Sequence, residues 1–438
     1  MKPAEKMMER GLRLINRVAG SSAIDRLGLR KPMETLLYQG AKNGFRTAGA
    51  AARTFAATQK LLRPARLGAA RGAELFDLSP TEEQQMLREA VQSFALEQLR
   101  PAAQAADAAC AAPVELLQQS SELGIALMGV PEELGGAGNE RSAMTNVLVA
   151  EAMAQGDLGL AVACLAPAAV STALVLWGSA TQQAKYLPAF VGENLPAAAL
   201  ALQEPSVLFD PFKLATKARK QNGGYVLDGA KSLVPRAASA ELFIIAAELE
   251  GQGPALFLVE SSTRGLSIEA EPSMGLRAAA TGRVILEGVQ LPADALLGGA
   301  DAGTYADCVQ LARLGWCALA VGTAQAALDY LIPYVNERIA FGEPISHRQA
   351  VAFNVANIAI ELEGMRLLTY RAASRAERGL PFAQNTALAR RLCADKGMSI
   401  GSDAVQLLGG HGFIKEHPAE RWYRDLRAVG LCEGVLLV

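Results

Sequence analysis

The sequence predicts an α+β chain of several domains: a helical N-terminal domain, a middle antiparallel β domain and a C-terminal helical bundle, preceded by a basic helical extension. Three observations predict it. Apolar residues recur at helical spacing from about residue 80 to 190, and again after Asp301 almost to the end. From about 197 the runs become short and apolar, separated by Gly, Pro or Asn, as in strands. The charge is split: residues 1–75 carry 15 Lys or Arg against 5 acids, a local net of +10, whereas the whole chain has a net charge of -2. With 438 residues, several packed domains are expected, and their predicted boundaries are 1–75, 76–196, 197–300 and 301–438.

In the extension, Met8, Leu12, Ile15 and Ala19 form one helical stripe, and Lys6, Arg10, Arg13 and Arg17 another. Lys42, Arg46 and Arg53 repeat the pattern between Met33 and Phe55. Such helices suit an anionic membrane surface, or the chain's own acidic domains; both readings stand. The acids Glu5, Glu9, Asp25 and Glu34 speak against an organelle transit peptide, and no apolar block follows the first lysines as in a secretory signal. Ser79-Pro80-Thr81-Glu82 is a helix start with Ser79 as cap. The 27 uncharged residues from Leu158 to Ala184 are long enough to span a bilayer, but Pro167, Gly159 and Gly178 favour two buried core helices around a Pro turn. Tyr225–Leu227, Leu242–Ile245, Ala255–Val259 and Val284–Leu286 are the strand candidates. In the C-terminal part, Phe353, Ala356 and Ile360 oppose a polar ridge of Asn354, Asn357 and Glu361, the pattern of an amphipathic bundle helix.

Composition removes several classes. Hydrophobic residues at 51% and charged residues at 20% exclude a disordered chain. Six scattered cysteines without a CxxC, and three histidines, predict neither a disulfide framework nor a metal site. The compartment is expected to be reducing and cytoplasmic, with the arm a candidate for peripheral contact at the inner face of a membrane. A net charge of -2 argues against a nucleic-acid footprint over the whole surface. No GxGxxG or GxxxxGK[ST] occurs, so a nucleotide cofactor, if bound, is bound in another way.

Several motifs stand in order along the chain: Gly129-Val130-Pro131-Glu132-Glu133-Leu134-Gly135-Gly136, Gly275-Leu276-Arg277, Arg338-Ile339-Ala340-Phe341-Gly342-Glu343-Pro344-Ile345, Gln406-Leu407-Leu408-Gly409-Gly410-His411-Gly412-Phe413, Glu420-Arg421-Trp422-Tyr423-Arg424-Asp425 and Cys432-Glu433-Gly434. With this domain order, the chain from about residue 76 onward resembles the acyl-CoA dehydrogenase family. The resemblance implies FAD as cofactor, usually a tetrameric assembly, and α,β-desaturation of an acyl-CoA thioester with electrons passing to an electron-transfer flavoprotein.

The chemistry needs a base for the proton beside the thioester carbonyl and an acceptor for a hydride. Taken alone, a glutamate near a C-terminus is a surface residue. The resemblance makes Glu433 the base, and apolar neighbours (Leu431, Val435, Leu436) are expected to desolvate it and so strengthen it. Arg313 matches a family arginine beside the catalytic region and is a candidate for substrate binding; a structural ion pair is the other reading. For the cofactor, the resemblance implies Arg338 at the pyrophosphate, Phe341, Gln349 and Gln406 beside it, and Gly409 and Gly410 for close backbone approach, completing the flavin site of a neighbouring subunit.

Departures fall on the flavin ring. Where the family has Thr-Glu-Pro-x-x-Gly-Ser-Asp, this chain has Gln203-Glu204-Pro205-Ser206-Val207-Leu208-Phe209-Asp210, in which Leu208 and Phe209 are expected to narrow the ring pocket. The family's Trp-Ile-Thr is Leu233-Val234-Pro235, and Pro235 brings neither hydroxyl nor N–H. Val435 stands where the family has Thr. Gln203 and Pro235 are therefore the ring-side contacts. An acyl-CoA dehydrogenase is the leading expectation. The alternatives are a non-catalytic or half-catalytic subunit of a heteromeric complex, which completes a partner's flavin site, and a binding protein that uses the arm; the expected assembly is a homo-oligomer (dimer or tetramer) or a heteromer with a related subunit. A membrane-touching arm favours long acyl chains.

Overall fold

The structure, a computed structural model, describes residues 78–136, 141–191, 195–299 and 301–438. The basic extension, with its expected helices and membrane or docking role, lies outside them. Helix α1 (Glu82–Phe94) begins after Thr81 rather than Ser79. The Thr81 hydroxyl accepts from Gln84 N and Gln84 Oε1 accepts from Thr81 N, a reciprocal pair that satisfies two donors the helix leaves open. A π turn, Ala95–Leu99, leads into α2 (Arg100–Ala109), and α3 (Val114–Glu122), α4 (Ala143–Gly156) and α5 (Leu158–Trp177) follow.

The uncharged stretch is one helix with Pro167 inside it, not two helices around a Pro turn. Burial from Leu158 to Leu174 on nearly every side keeps α5 helical through the proline. The break comes at Gly178, after which Ser179 caps α6 (Ala180–Tyr186). Helix α5 and α7 (Ala302–Glu337) are each long and apolar enough to cross a membrane, and both are mostly buried in the fold.

The middle domain is one sheet of eight strands: β1 (Ala198–Ala201), β2 (Lys217–Gln221), β3 (Gly224–Val234), β4 (Leu242–Leu249), β5 (Gly253–Glu260), β6 (Leu266–Ala270), β7 (Gly282–Leu291) and β8 (Leu296–Leu297). The order is β6-β7-β3-β2-β4-β5-β8, with β1 also on β4. Strands β1 and β2 reach β4 without a hairpin and lie parallel to it; the other pairs are antiparallel. Strand β4 is buried on both faces. Leu242, Ile244 and Ala246 face a core shared with α5 and the start of α7, and Phe243, Ile245 and Ala247 face a second core within the sheet.

Past α7 come a hairpin of β9 (Ile339–Ala340) and β10 (Glu343–Pro344), then α8 (Gln349–Glu377), α9 (Ala383–Leu408), the single turn α10 (Gly410–Phe413) and α11 (Ala419–Leu426). Helix α7 is the pivot, packing on α9 and α8 and on α4 of the N-terminal domain. Helix α8 reverses the sequence expectation: Phe353 and Ile360 are 63% and 68% exposed, while Ile358, Leu362, Met365 and Thr369 are buried. The helix has two apolar faces, and periodicity alone does not say which one meets the chain's own core.

Candidate active site

A short turn, Arg427–Gly430, follows α11 and, past the exposed Leu431, delivers Cys432–Val438 into the junction of the three domains. Glu433 is 5% exposed. Arg313, on α7, grips its carboxylate as a fork: Nε lies 3.1 and 2.9 Å from Oε1 and Oε2, and Nη2 lies 2.8 Å from Oε1. Arg390, on α9, adds Nη2 to Oε1 at 3.1 Å and also donates to Cys432 O at 2.8 Å. Both readings of Arg313 therefore merge, since it is an ion pair and its partner is the candidate base. The apolar surround expected of Glu433 is instead a double guanidinium clamp. Burial pulls the Arg313 guanidinium down, but the hydrogen bonds and charge of Glu433 outweigh it and leave it above its ordinary value.

The backbone of this segment is equally fixed. Trp316 Nε1, fully buried on α7, donates to Gly434 O at 3.0 Å. Gly434 has φ of 76°, and a Cβ there would lie 2.8 Å from Leu202 Cγ, so only glycine fits. Glu433 N donates to Gln203 Oε1 at 3.1 Å. Gln203 thus meets the base segment directly. Its neighbour Glu204 anchors it, accepting from Ala215 N, from Thr216 N and from Lys231 Nζ at 2.8 Å. Lys231 is fully buried, and burial pushes its ammonium down to about 8 against the pull of Glu204.

The second group of expected residues gathers at the far end of α7. Arg338 is its C-cap, with N donating to Tyr334 O. Tyr334 Oη donates to Leu408 O at 3.2 Å and pairs with His411 Nδ1 at 2.9 Å, which brings the ends of α7 and α9 together. Phe341 (φ 56°) and Gly342 (φ 86°) form the hairpin tip, the conformation of a type I′ turn. A phenylalanine there is strained and 96% exposed. Arg338, Gln349, Gln406, Gly409 and Gly410 are all exposed, and a Cβ at Gly409 or Gly410 would meet nothing within 4 Å. Arg313 and Arg338 stand 25 residues apart on one helix, or about 37 Å at the α-helical rise.

These two ends differ in what they can hold. The open surface at Arg338, Gln349 and the two glycines suits a pyrophosphate. At the ring end the polar groups are already paired: Gln203 Oε1 accepts from Glu433 N, Leu233 N donates to Glu271 at 2.6 Å, and buried Pro235 has no N–H. Leu208 does not narrow the pocket as expected. It sits at φ 55°, 95% exposed, pointing away from the protein, while Phe209 packs on the core shared with α5. Arg390 and Trp316 escaped the sequence reading. Their one signal is position, since buried small residues stand three or four positions away on the same helix, Thr386 and Cys393 for the first and Ala312 and Ala320 for the second.

Residues 81–194, 199–289 and 304–436 match the N-terminal, middle and C-terminal domains of acyl-CoA dehydrogenase. The chain belongs to the acyl-CoA dehydrogenase family of oxidoreductases, whose members are FAD-dependent flavoproteins. It is 34% identical over 362 residues to the mitochondrial short-chain specific acyl-CoA dehydrogenase of Bos taurus, covering 81% of this chain and 87% of that protein. Butyryl-CoA dehydrogenase from Megasphaera elsdenii superposes with a TM-score of 0.75 at 28% identity, over 82% of this chain and 96% of that one. PigA, solved with FAD and proline, superposes with a TM-score of 0.74 at 27% identity, over 81% and 94%.

Proposed function

We propose that this chain binds a short acyl-CoA thioester and that Glu433 removes the proton α to the thioester carbonyl, the opening step of α,β-desaturation. The observation that carries the reading is the buried, clamped carboxylate of Glu433 at the domain junction. The clamp holds the carboxylate in one orientation, and positioning of this kind is a large part of a base's efficiency. As Glu433 takes the proton, charge develops on the thioester oxygen. The Glu433 N–H, now donated to Gln203 Oε1, is a backbone donor beside the base that would meet this charge once Gln203 releases it. The relatives' short-chain names support a short substrate.

The oxidation needs a hydride acceptor, the role FAD fills in this family, with an electron-transfer flavoprotein the proposed onward carrier. The separation of about 37 Å between Arg313 and Arg338 supports a phosphate end that serves a cofactor other than the one beside this chain's own base. We infer a homo-oligomer in which the Arg338 end of one copy meets the ring end of another. The exposed stripe of Phe353, Ile360 and Leu367 on α8, at spacings of seven, supports that assembly. A second reading draws on the paired polar groups of the ring end beside the open phosphate end: a half-catalytic subunit that serves a related partner's flavin. One FAD per chain in the purified homo-oligomer would sink it.

The base is tested without any acceptor. The protein is incubated with butyryl-CoA in deuterated water, and deuterium at the α-carbon is read by mass spectrometry. Wild type is expected to exchange, and Glu433→Gln to exchange at least about a hundredfold more slowly. Equal exchange by the two proteins overturns the assignment.

A further inference from the structure

Strand β3 ends at Val234, and the chain turns through Pro235 into Arg236. Arg236 has φ of 50° and ψ of 30°, the left-handed region. Its N donates to Ala279 O at 2.9 Å, and its O accepts from Ser239 N at 2.9 Å. Among non-glycine residues asparagine suits that conformation best, and a long side chain gains nothing from it. Hydrogen bonds on both sides thus fix a residue type that the turn itself does not favour.

The turn sets in place a half-buried guanidinium that has no hydrogen-bond or ion-pair partner among the described residues. Arg313, Arg366, Arg390 and Arg424, also half-buried, each hold a carboxylate. Burial pulls the Arg236 guanidinium down, and the charges that lift it are those of Cys164 and Glu241. Neither is a counter-ion. Burial pushes the Cys164 thiol up to about 11, so it is neutral at pH 7, and Glu241 is exposed and makes no ion pair with Arg236. A half-buried cation is costly until something supplies the missing charge. Arg236 lines a cavity of about 190 Å³ between α3, α5 and this turn. Val114 and Leu117 on α3, Pro167 on α5 and Leu195 make its walls mostly apolar, Gln118 and Ser121 add neutral polar groups, and no acidic residue lines it. Pockets for drug-sized ligands begin at about 300 Å³, so the ligand that fits here is small. One cation among apolar walls suits a single negative charge with a short apolar tail.

We propose that Arg236 marks a binding site for a short monocarboxylate, whose carboxylate pairs with the guanidinium and whose apolar tail lies against Leu117 and Pro167. The site uses neither Glu433 nor Arg338 and does not depend on the reading of Glu433 as a base. It begins one residue beyond Pro235, so its occupant is a neighbour of the ring end.

Wild type and Arg236→Asn are titrated with sodium butanoate, with sodium chloride at equal ionic strength as the control, and thermal unfolding is followed. Without butanoate the variant is expected to unfold at or above the wild-type midpoint, because it removes an uncompensated cation and suits the turn. A variant that unfolds well below wild type has lost a structural arginine, and overturns the argument from the missing counter-ion. With butanoate the wild-type midpoint is expected to rise with concentration, and the variant to bind at least about tenfold more weakly, the equivalent of 1.4 kcal/mol. Equal responses of the two proteins overturn the site. Inorganic phosphate that raises the wild-type midpoint as much as butanoate does overturns the choice of a monocarboxylate. A measurement on the unaltered chain decides the matter if the variant does not fold. The methyl protons of butanoate are expected to receive saturation from the protein by NMR, and more strongly than those of acetate; no transfer to butanoate refutes the proposal.

Discussion

Replacing Lys231 by Met removes the cation of the buried pair that anchors Gln203. In the folded protein burial takes this lysine from 10.5 to about 8, a gap of about 3 kcal/mol against the ammonium form. Methionine relieves that penalty but leaves Glu204, 3% exposed, with two backbone donors and no counter-charge. Stranding one member of a buried pair costs about 3–5 kcal/mol, so the stranded carboxylate dominates and Lys231→Met is expected to lose about that much stability. The double variant Lys231→Met with Glu204→Gln is expected to recover at least about half, because a carboxamide still accepts from one of the two N–H groups. Urea unfolding followed by tryptophan fluorescence reads both. A pH series adds a second arm. Between about 8 and 10.5 the unfolded chain keeps a proton that the folded chain has shed, so the stability contributed by Lys231 rises with pH through that window. The variant loses that rise. An unfolding midpoint for Lys231→Met at or above the wild-type value refutes the reasoning, since backbone donors alone would then hold Glu204.

Two further outcomes follow from the same geometry. Asp425 is fully buried, and burial, with the charge of Asp157 behind it, pushes its carboxyl up to about 7. A value raised above 3.8 gives stability that is complete below the unfolded value and is lost as pH rises through 7. Asp425→Asn keeps an acceptor for Leu276 N, so its stability relative to wild type is expected to grow between pH 5 and pH 8; a flat difference in thermal unfolding counts against this. Gly434→Ala forces a Cβ to within 2.8 Å of Leu202 Cγ at a φ of 76°. It is expected to cost about 1–3 kcal/mol and to slow α-proton exchange at least about tenfold by moving Glu433. Variant protein with wild-type stability and exchange would refute the close contact.

The order of helices, strands and helices is legible because each depends on local periodicity. The 3.6-residue period runs from about 80 to 190, and short strands such as Leu242–Leu249 follow. Direction and partner are less legible. The parallel placement of β1 and β2 on β4 and the continuity of α5 through Pro167 are settled by packing from distant segments. At the site, Glu433 stands out by its motif. Its clamp is legible in part: Arg313 is marked by the family resemblance, whereas Arg390, 43 residues away, carries no mark beyond being basic.

The sequence by itself determined the domain order, the family motifs and the altered ring-side residues, since all three are written in residue type and spacing. Only the tertiary structure decided what those residues face. Leu208, bulky where a small residue is usual, turns out to solvent, while Val435–Val438, a plain apolar run, turns inward beside the base. Both are apolar, and hydrophobicity is non-directional. Which apolar residue is buried depends on backbone turns, here φ of 55° at Leu208 and 74° at Val435, that only the packed chain sets.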